Sequence, residues 1–441
     1  MKLPLVQALR VPSVPCVAFI GAGGKTTAMF QLARELSPPV IVTATTHLGL
    51  WQTSIADHHV IAETPAPLEE LEHGLQGIIL VTGPAEGDRT QPINAEVLSW
   101  LHQFCGYHSL PMLVEADGAR QKPLKAWAEY EPPIPLFVEQ VVEVVGLSGI
   151  GKRLDEESVH RPGLFSRLGG LPIGELISQE HILRVASHPD SGLKNAPAHA
   201  RKTVILNQAD TLERQAIARG MAPPLLNIFD SVLVASLQQG DVFAVHEPVA
   251  GIILAAGGSS RFGEPKQLLD WRGQPFVRAV AGTALEAGLS PVMVVTGSNA
   301  EEVEAAVQGS PVQVVRNDAW QEGQASSIRA GIRALPGNVG AGIFLLSDQP
   351  QLTTTVLRAL VESHAAQLQP ILAPMVQDQR ANPVLFDRVT FKDLLALTGD
   401  MGGRGIFHKH RVDYLPWHDD RLLLDVDTPE MYQRLISDDT L

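Results

Sequence analysis

Short apolar runs rich in Val and Ile, most of them closing on Gly, Asp or Asn, recur along the whole 441-residue chain. In the first half they are CVAFIG, VIVTAT, GIILVTG, MLVEAD and TVILNQAD; in the second, GIILAAG, PVMVVTG, VQVVRN and GIFLLSD. A run that is apolar throughout is buried on both faces, as a parallel strand is. Helix-like segments separate the runs, and this alternation predicts an α/β fold with mainly parallel sheets. In such sheets ligands bind beyond the carboxyl ends of the strands. The residues that close each run are therefore the ones to inspect.

The length suits two or three domains at roughly 150 residues each. The segment QQGDVFAVHEPVAG joins the apolar stretches LLNIFDSVLVASL and GIILAAG, so we expect domains over 1–245 and 249–441. With 45% apolar and 19% charged residues, wholesale disorder is excluded. The net charge of −14 disfavours non-specific binding to nucleic acid or anionic membranes. Cys16 and Cys105 form no CxxC pair, which argues against a disulfide scaffold or a zinc ribbon. No apolar run approaches the ~20 residues of a membrane span. The proline-interrupted N-terminus makes a poor signal peptide, so the expected home is the cytoplasm. The pairs His58-His59 and His408-x-His410 lack a third ligand, and the scattered Trp residues form no stacking platform.

VAFIGAGGKTTAMFQLAREL reads strand, glycine loop, helix. Gly21, Gly23 and Gly24 let the backbone approach an anion, and Lys25 adds a point charge. Thr26 or Thr27 can place a hydroxyl on Mg²⁺, and the helix start favours phosphate. The full GxxxxGK[ST] pattern fails because Phe19 stands where its first Gly belongs. This is a P-loop-like NTP-binding α/β domain, taking ATP or GTP. After MLVEAD, Asp117 is the expected metal ligand, with Glu115 second. Thr43, Thr45, Thr46 and His47 close another strand. Asn207 and Asp210 are candidate base readers on the Asn-Lys-x-Asp pattern, with Gln208 in the Lys position. GAGGKTT, VEADGAR with KPLKA, and LNQAD together resemble the YqeC-type accessory proteins associated with selenium-dependent molybdenum hydroxylases. The resemblance implies a nucleotide-dependent maturation role. Lys122, Lys125, Arg153, His160 and Arg161 are candidates for a basic anion pocket.

In the second half, GIILAAGGSSRFGEPKQLL runs from a strand into a small-residue loop. Ala255, Ala256, Gly257 and Gly258 let backbone N–H groups face a triphosphate, and Ser259 and Ser260 add hydroxyls. Arg261 and Lys266 supply positive charge where pyrophosphate leaves. The string resembles the loop of nucleotidyltransferases that activate sugars and cofactors. That implies a Rossmann-like, GT-A-like domain with a mostly parallel sheet. By the same resemblance Gly323, Ser326 and Ser327 bind base and ribose, and Asp348 and Asp427 hold Mg²⁺. Asn382 and Pro383, with Gly402, Gly403 and Arg404, form acceptor loops. LAAG, PKQLL, SDQP, NPVLF, GDxGGR and DVDTPE together resemble the molybdenum cofactor cytidylyltransferases, of the MobA-like NTP transferase family. Guanylyl-transferring relatives usually read LAGG, so Ala256 favours CTP.

The implied reaction passes CMP from CTP to a molybdopterin-type cofactor, with pyrophosphate leaving. Positioning and charge neutralisation carry such a transfer. A molybdenum hydroxylase of the xanthine dehydrogenase type is the protein partner that the resemblance implies. A GTP- or ATP-using transferase and a cofactor-binding scaffold are the alternatives.

Overall fold

The computed structural model describes residues 3–69, 76–258, 265–426 and 428–438. It contains two compact units, Met1–His246 and Glu247–Leu441. The first is built on a nine-stranded sheet. In chain order its strands are β1 (Cys16–Gly21), β2 (Val40–Ala44), β3 (His58–Ile61), β4 (Ile78–Thr82), β5 (Met112–Glu115), β6 (Gln140–Gly146), β7 (Arg201–Asn207), β8 (Ser231–Ser236) and β9 (Asp241–His246). In space the order is β9-β8-β7-β6-β1-β5-β2-β4-β3, parallel except for the antiparallel edge strand β9. Every residue of β2, β4, β5, β6 and β8 is buried, as the continuous apolar runs require. Helix α1 (Lys25–Glu35) follows β1 and buries Ala28, Met29, Phe30, Leu32 and Ala33.

QQGDVFAVHEPVAG spans the junction of the two units, and within it Asp241–His246 pairs with β8 and closes the sheet edge. The central strand β6, QVVEVVG, carries a Glu and a Gln that masked its apolar character in the sequence.

The second unit has a mixed sheet. Its strands are β10 (Val249–Ala255), β11 (Val292–Thr296), β12 (Gln313–Arg316), β13 (Ala341–Leu346), β14 (Ile371–Val376), β15 (Gln379–Arg380), β16 (Val384–Asp387) and β17 (Val412–Pro416). The order is β12-β11-β10-β13-β16-β14-β15, with β17 parallel to β14. The pairings among β10–β13 are parallel, whereas β16 pairs antiparallel with both β13 and β14, and β15 with β14. The expected parallel pairing thus holds among β10–β13 and between β14 and β17, with antiparallel pairings between. Two apolar layers cover the faces of β10: one holds Ile253 with Val277 and Val280, the other Ile252 with Ile328 and Ile332. Among the described residues no helix is long and apolar enough to cross a membrane.

Phe276 is fully buried at the start of the helix covering β10. Phe276→Ala removes a core aromatic, and we expect a loss of about 3–5 kcal/mol, read as a lowered urea midpoint with unchanged slope.

Candidate functional site

In the first unit the chain leaves β1 at Gly21 and enters α1 at Lys25. Gly24 has φ 130°, and a Cβ there would lie 2.4 Å from Asn207 Nδ2. Only glycine fits. Asn207, at the end of β7, donates from Nδ2 to Gly23 O (2.7 Å) and accepts at Oδ1 from Leu237 N (2.9 Å). It staples the glycine turn to the neighbouring strand ends. No side chain caps α1, so its first amides are available to an anion.

Beneath the turn lies Asp117, fully buried just past β5. Its Oδ2 accepts from Gly21 N (3.0 Å), Lys125 Nζ (2.9 Å) and Trp127 Nε1 (2.7 Å). Lys25 Nζ sits 3.2 Å from Oδ1 and donates to Gly21 O at 2.8 Å. Burial alone raises this carboxyl; Lys25, Lys125 and the Gly21 N–H outweigh it and hold Asp117 below the usual carboxylate range. Glu115, at the end of β5, accepts from Thr26 Oγ1 (2.8 Å), and Gln52 Nε2 donates to the same hydroxyl (2.7 Å). Thr27 is exposed. Of the two threonines, Thr26 is therefore the one held beside an acid.

Three of the five basic candidates are engaged by the protein itself. Lys125 is enclosed between Asp117 and Glu131 (3.7 Å), and Arg161 is paired to Glu131. Arg153 donates to Gly174 O. Burial, with Lys125 and Arg120 nearby, pushes the His160 imidazole down to about 4, so it is neutral at pH 7. Asp210 accepts from Ser236 Oγ (2.6 Å) and lies 3.7 Å from Arg214. Gln208 accepts from Ser148 N rather than facing a base site.

In the second unit β10 lies between β11 and β13: β11 and β12 follow it on one side, and the chain then crosses over to β13 on the other. Such a switch point opens a crevice beyond the strand ends. A cavity of about 540 Å³ lies there, lined by Ala256, Gly257 and Gly258 after β10 and by Ser347 and Asp348 after β13. Lys266 Nζ is 3.8 Å from Asp348 Oδ2. Gln267 and Ser298 donate to Gly257 O (3.3 and 3.2 Å), which fixes the turn. Ala255 is buried in the strand, and the Ala256 methyl fits only because residue 297 is glycine: a Cβ there would lie 2.7 Å away.

Gly323 and Ser327 line the opposite wall. Gly323 has φ 97°, and Asp400 Oδ1 would be 2.4 Å from a Cβ there. Ser326 donates to Gly323 O, and Asn317 Nδ2 reaches both serine hydroxyls (2.8 and 3.0 Å). Gly402 packs against Gln324 and Gly403 against the Phe386 ring, while Asn382 and Pro383 lead into that same strand. None of these four residues, nor Arg404, lines the cavity. Ser259, Ser260 and Arg261, and also Asp427, lie outside the described residues.

The model of the YqeC protein family matches residues 17–163, and that of the MobA-like NTP transferase domain matches 251–414. The protein named uncharacterized protein YqeC from Escherichia coli is 29% identical over 248 residues, 54% of this chain and 88% of its own length. Nicotine blue oxidoreductase from Paenarthrobacter nicotinovorans is 34% identical over 200 residues, 43% of this chain and 96% of that protein. Purine catabolism protein PucB from Bacillus subtilis is 31% identical over 194 residues, covering 41% and 93%.

The chain belongs to both families, one in each unit. The second unit is a nucleotidyltransferase domain.

Several residues of the transferase unit escaped the sequence. Trp320 lines the switch-point cavity, its ring 3.6 Å from where a Gly258 Cβ would stand. Asn317 and Asp400 likewise carry no local signature. Residues 420–423 are a 3₁₀ turn followed by irregular chain. Asp425 accepts from Gln349 Nε2 at 2.7 Å.

In the YqeC unit, the unforeseen residue is Glu143 of β6. It is 1% exposed, and its Oε2 has no hydrogen-bond partner. With Ala22, Lys125 and Trp127 it lines a cavity of about 20 Å³, enough for one water. Burial, then the Asp117 charge, pushes this carboxyl up to about 8. The unfolded chain titrates it near the ordinary Glu value of about 4.3. The neutral form's contribution to stability is therefore complete below that value and declines as pH rises toward about 8. The slope is about 1.4 kcal/mol per pH unit. Urea midpoints between pH 5 and 8 should fall more steeply for the parent protein than for Glu143→Gln. Parallel curves would refute a neutral Glu143.

Asn207→Ala should cost about 1–3 kcal/mol, because Leu237 N and Gly23 O lose their partner. It should also weaken nucleotide binding in the YqeC unit, as measured by fluorescent-ATP titration.

Proposed function

We propose that the transferase unit moves CMP from CTP to the terminal phosphate of a molybdopterin-type cofactor, releasing pyrophosphate. The observation that carries this reading is the switch-point cavity, which brings the Ala256–Gly258 turn, Lys266, Asp348, Gly323 and Ser327 around one space. The small-residue turn suits a triphosphate cradled by backbone N–H groups. Lys266, with Arg261, neutralises the departing pyrophosphate. Ser327, with Ser326 held by Asn317, takes the ribose and base. Gly402, Gly403 and Arg404, with Asn382 and Pro383, form the acceptor side. CTP is favoured over GTP by the LAAG sequence at Ala256.

Asp348 fits a magnesium site, since it is a hard oxygen donor on the cavity wall. Among the described residues no group of three acidic, His or Cys side chains could hold a metal alone. Mg²⁺ characteristically needs only one or two carboxylates beside substrate phosphates. Asp348 would supply one, and Asp427 a second. The ion would neutralise charge on the reacting phosphate.

The YqeC unit binds ATP or GTP at the Gly21–Gly24 turn. Thr26 and Glu115 are the better-placed metal pair there, because Asp117 already receives three hydrogen bonds from the protein and lies against Lys25. Asp210 is the remaining base-side candidate. A tether between the units raises the effective concentration of one unit's product at the other. The finished cofactor would pass to a molybdenum hydroxylase of the xanthine dehydrogenase type.

Pyrophosphate release from purified protein with Mg²⁺ and molybdopterin cofactor, given CTP, GTP or ATP in parallel, tests the reading. We expect release with CTP. Release with GTP instead would keep the transfer and overturn the role of Ala256; no release with any would move the protein toward another acceptor or a scaffold role. Asp348→Ala should lower kcat about 10²-fold or more at unchanged Tm. A near-normal rate would remove Asp348 from the site. Lys25→Ala should weaken nucleotide binding in the YqeC unit and leave cytidylyl transfer intact.

A further inference from the structure

Gln52 belongs to none of the motifs that mark the nucleotide turn of the YqeC unit, yet its side chain ends on Thr26. It lies, half-buried, in the 3₁₀ segment Leu50–Ile55. Gln52 Oε1 accepts from Gly49 N at 2.7 Å. A backbone N–H can only donate, so this contact fixes which end of the amide is oxygen. The other end, Nε2, is therefore a donor, and it donates to Thr26 Oγ1 at 2.7 Å.

That direction settles the Thr26 hydroxyl. A hydroxyl has one hydrogen and two lone pairs. Gln52 takes one lone pair, and the hydrogen goes to Glu115 Oε2, 2.8 Å away. The bonds therefore run one way, from Gly49 to Gln52 to Thr26 to Glu115. The second lone pair of Oγ1 remains for a cation, as does Glu115 Oε1, which lies 3.9 Å from Lys25 Nζ. With Glu115 ionised, as a metal ligand must be, these are two hard oxygens of the kind that Mg²⁺ takes beside substrate phosphates. Without the Gln52 donor, the hydroxyl could rotate and turn its hydrogen toward the cation, which opposes binding.

The segment that delivers Gln52 is itself braced. Leu50 N donates to Asp88 O (2.9 Å), Thr90 N donates to Leu48 O (2.8 Å), and His47 Nδ1 is 3.0 Å from Thr90 O. Trp51 closes over residue 49, where a Cβ would lie 2.6 Å from its Nε1. The amide is thus held from both ends before any ligand arrives, as preorganised supporting groups are.

We propose that Gln52 is a positioning residue for the metal ion of the YqeC unit. It acts through Thr26, keeping that hydrogen on Glu115 so that a lone pair of Oγ1 is presented to a divalent cation. The inference rests on the reading of Thr26 and Glu115 as the metal pair and adds the chain beyond β2 to that site.

Mn²⁺, a paramagnetic stand-in for Mg²⁺, tests this on the full chain labelled with ¹⁵N-tryptophan. The six indole N–H signals report on both units. Trp51 adjoins Gln52, Trp127 Nε1 donates to Asp117 at 2.7 Å, and Trp320 lines the switch-point cavity. Titrating Mn²⁺ at a fixed ATP concentration should broaden the Trp51 and Trp127 signals. Gln52→Leu keeps the bulk and removes the donor. It should raise the Mn²⁺ concentration for half-broadening of both signals about tenfold, with the Trp320 response unchanged. Thr26→Val should raise it as well. Adding Gln52→Leu to Thr26→Val should raise it no further, because the effect passes through the hydroxyl. Loss of loop shape alone would raise it in the double variant too. The proposal is overturned if Gln52→Leu leaves half-broadening where it was, or if the double variant needs more Mn²⁺ than Thr26→Val; either result spares the metal pair. If Trp51 and Trp127 stay sharp in the parent protein, the metal pair itself fails and the role of Gln52 falls with it.

Discussion

A carboxylate taken out of water is costly unless its charge and lone pairs are met from the protein. Asp117 meets the charge condition: Gly21 N–H, Lys125 and Trp127 bond one oxygen, and Lys25 faces the other as an ion pair without a hydrogen bond. The arrangement of the YqeC unit's edge follows from it. The Gly21 amide can reach Oδ2 only if the chain turns sharply after β1, which places Gly23 and Gly24 over the strand ends. Lys125 can reach it only if the segment after β5 folds back beneath the turn. The chain then continues to Glu131 and Arg161. Charges that look like a basic cluster in the sequence are in this way neutralised before any ligand arrives.

The transferase unit solves the same problem differently. Its Ala256–Gly258 turn is fixed by neutral hydrogen bonds from Gln267 and Ser298, and the space beyond stays open. Strand order supplies the opening: β11 and β12 follow β10 on one side, and the chain then crosses back to place β13 on the other. The small residues at 256–258 then matter for what they leave out. A larger residue at 297 would collide with Ala256, and any side chain at 323 would collide with Asp400.

This contrast explains what could be read from the sequence. Continuous apolar runs identify strands such as Val40–Ala44 and Val292–Thr296 because burial on both faces leaves no polar positions. Gly24 and Lys25 are legible because a glycine turn entering a helix is a local pattern. Glu143 misled because a buried carboxyl in a strand interior looks like exposure until its surroundings are known. Asn317 reaches Ser326 and Ser327 across nine and ten residues, and Lys125 meets an acid on a different segment; neither partner can be named from spacing.

The resting charge balance also bears on how each unit responds to nucleotide. In the YqeC unit Lys25 is committed to Gly21 O and Asp117, with Glu115 3.9 Å away. A phosphate that draws Lys25 away uncovers part of the Asp117 charge, and that loss must be offset by the new contacts. A divalent cation at Thr26 and Glu115 would restore positive charge to the same pocket, so phosphate and metal should bind there with positive coupling. In the transferase unit Lys266 faces Asp348 across 3.8 Å at the edge of an open cavity. Separating that pair exposes no deeply buried charge. On the proposed reading the two units therefore differ in the work that a nucleotide would do on arrival: it would break a buried charge network in one and fill an open cavity in the other.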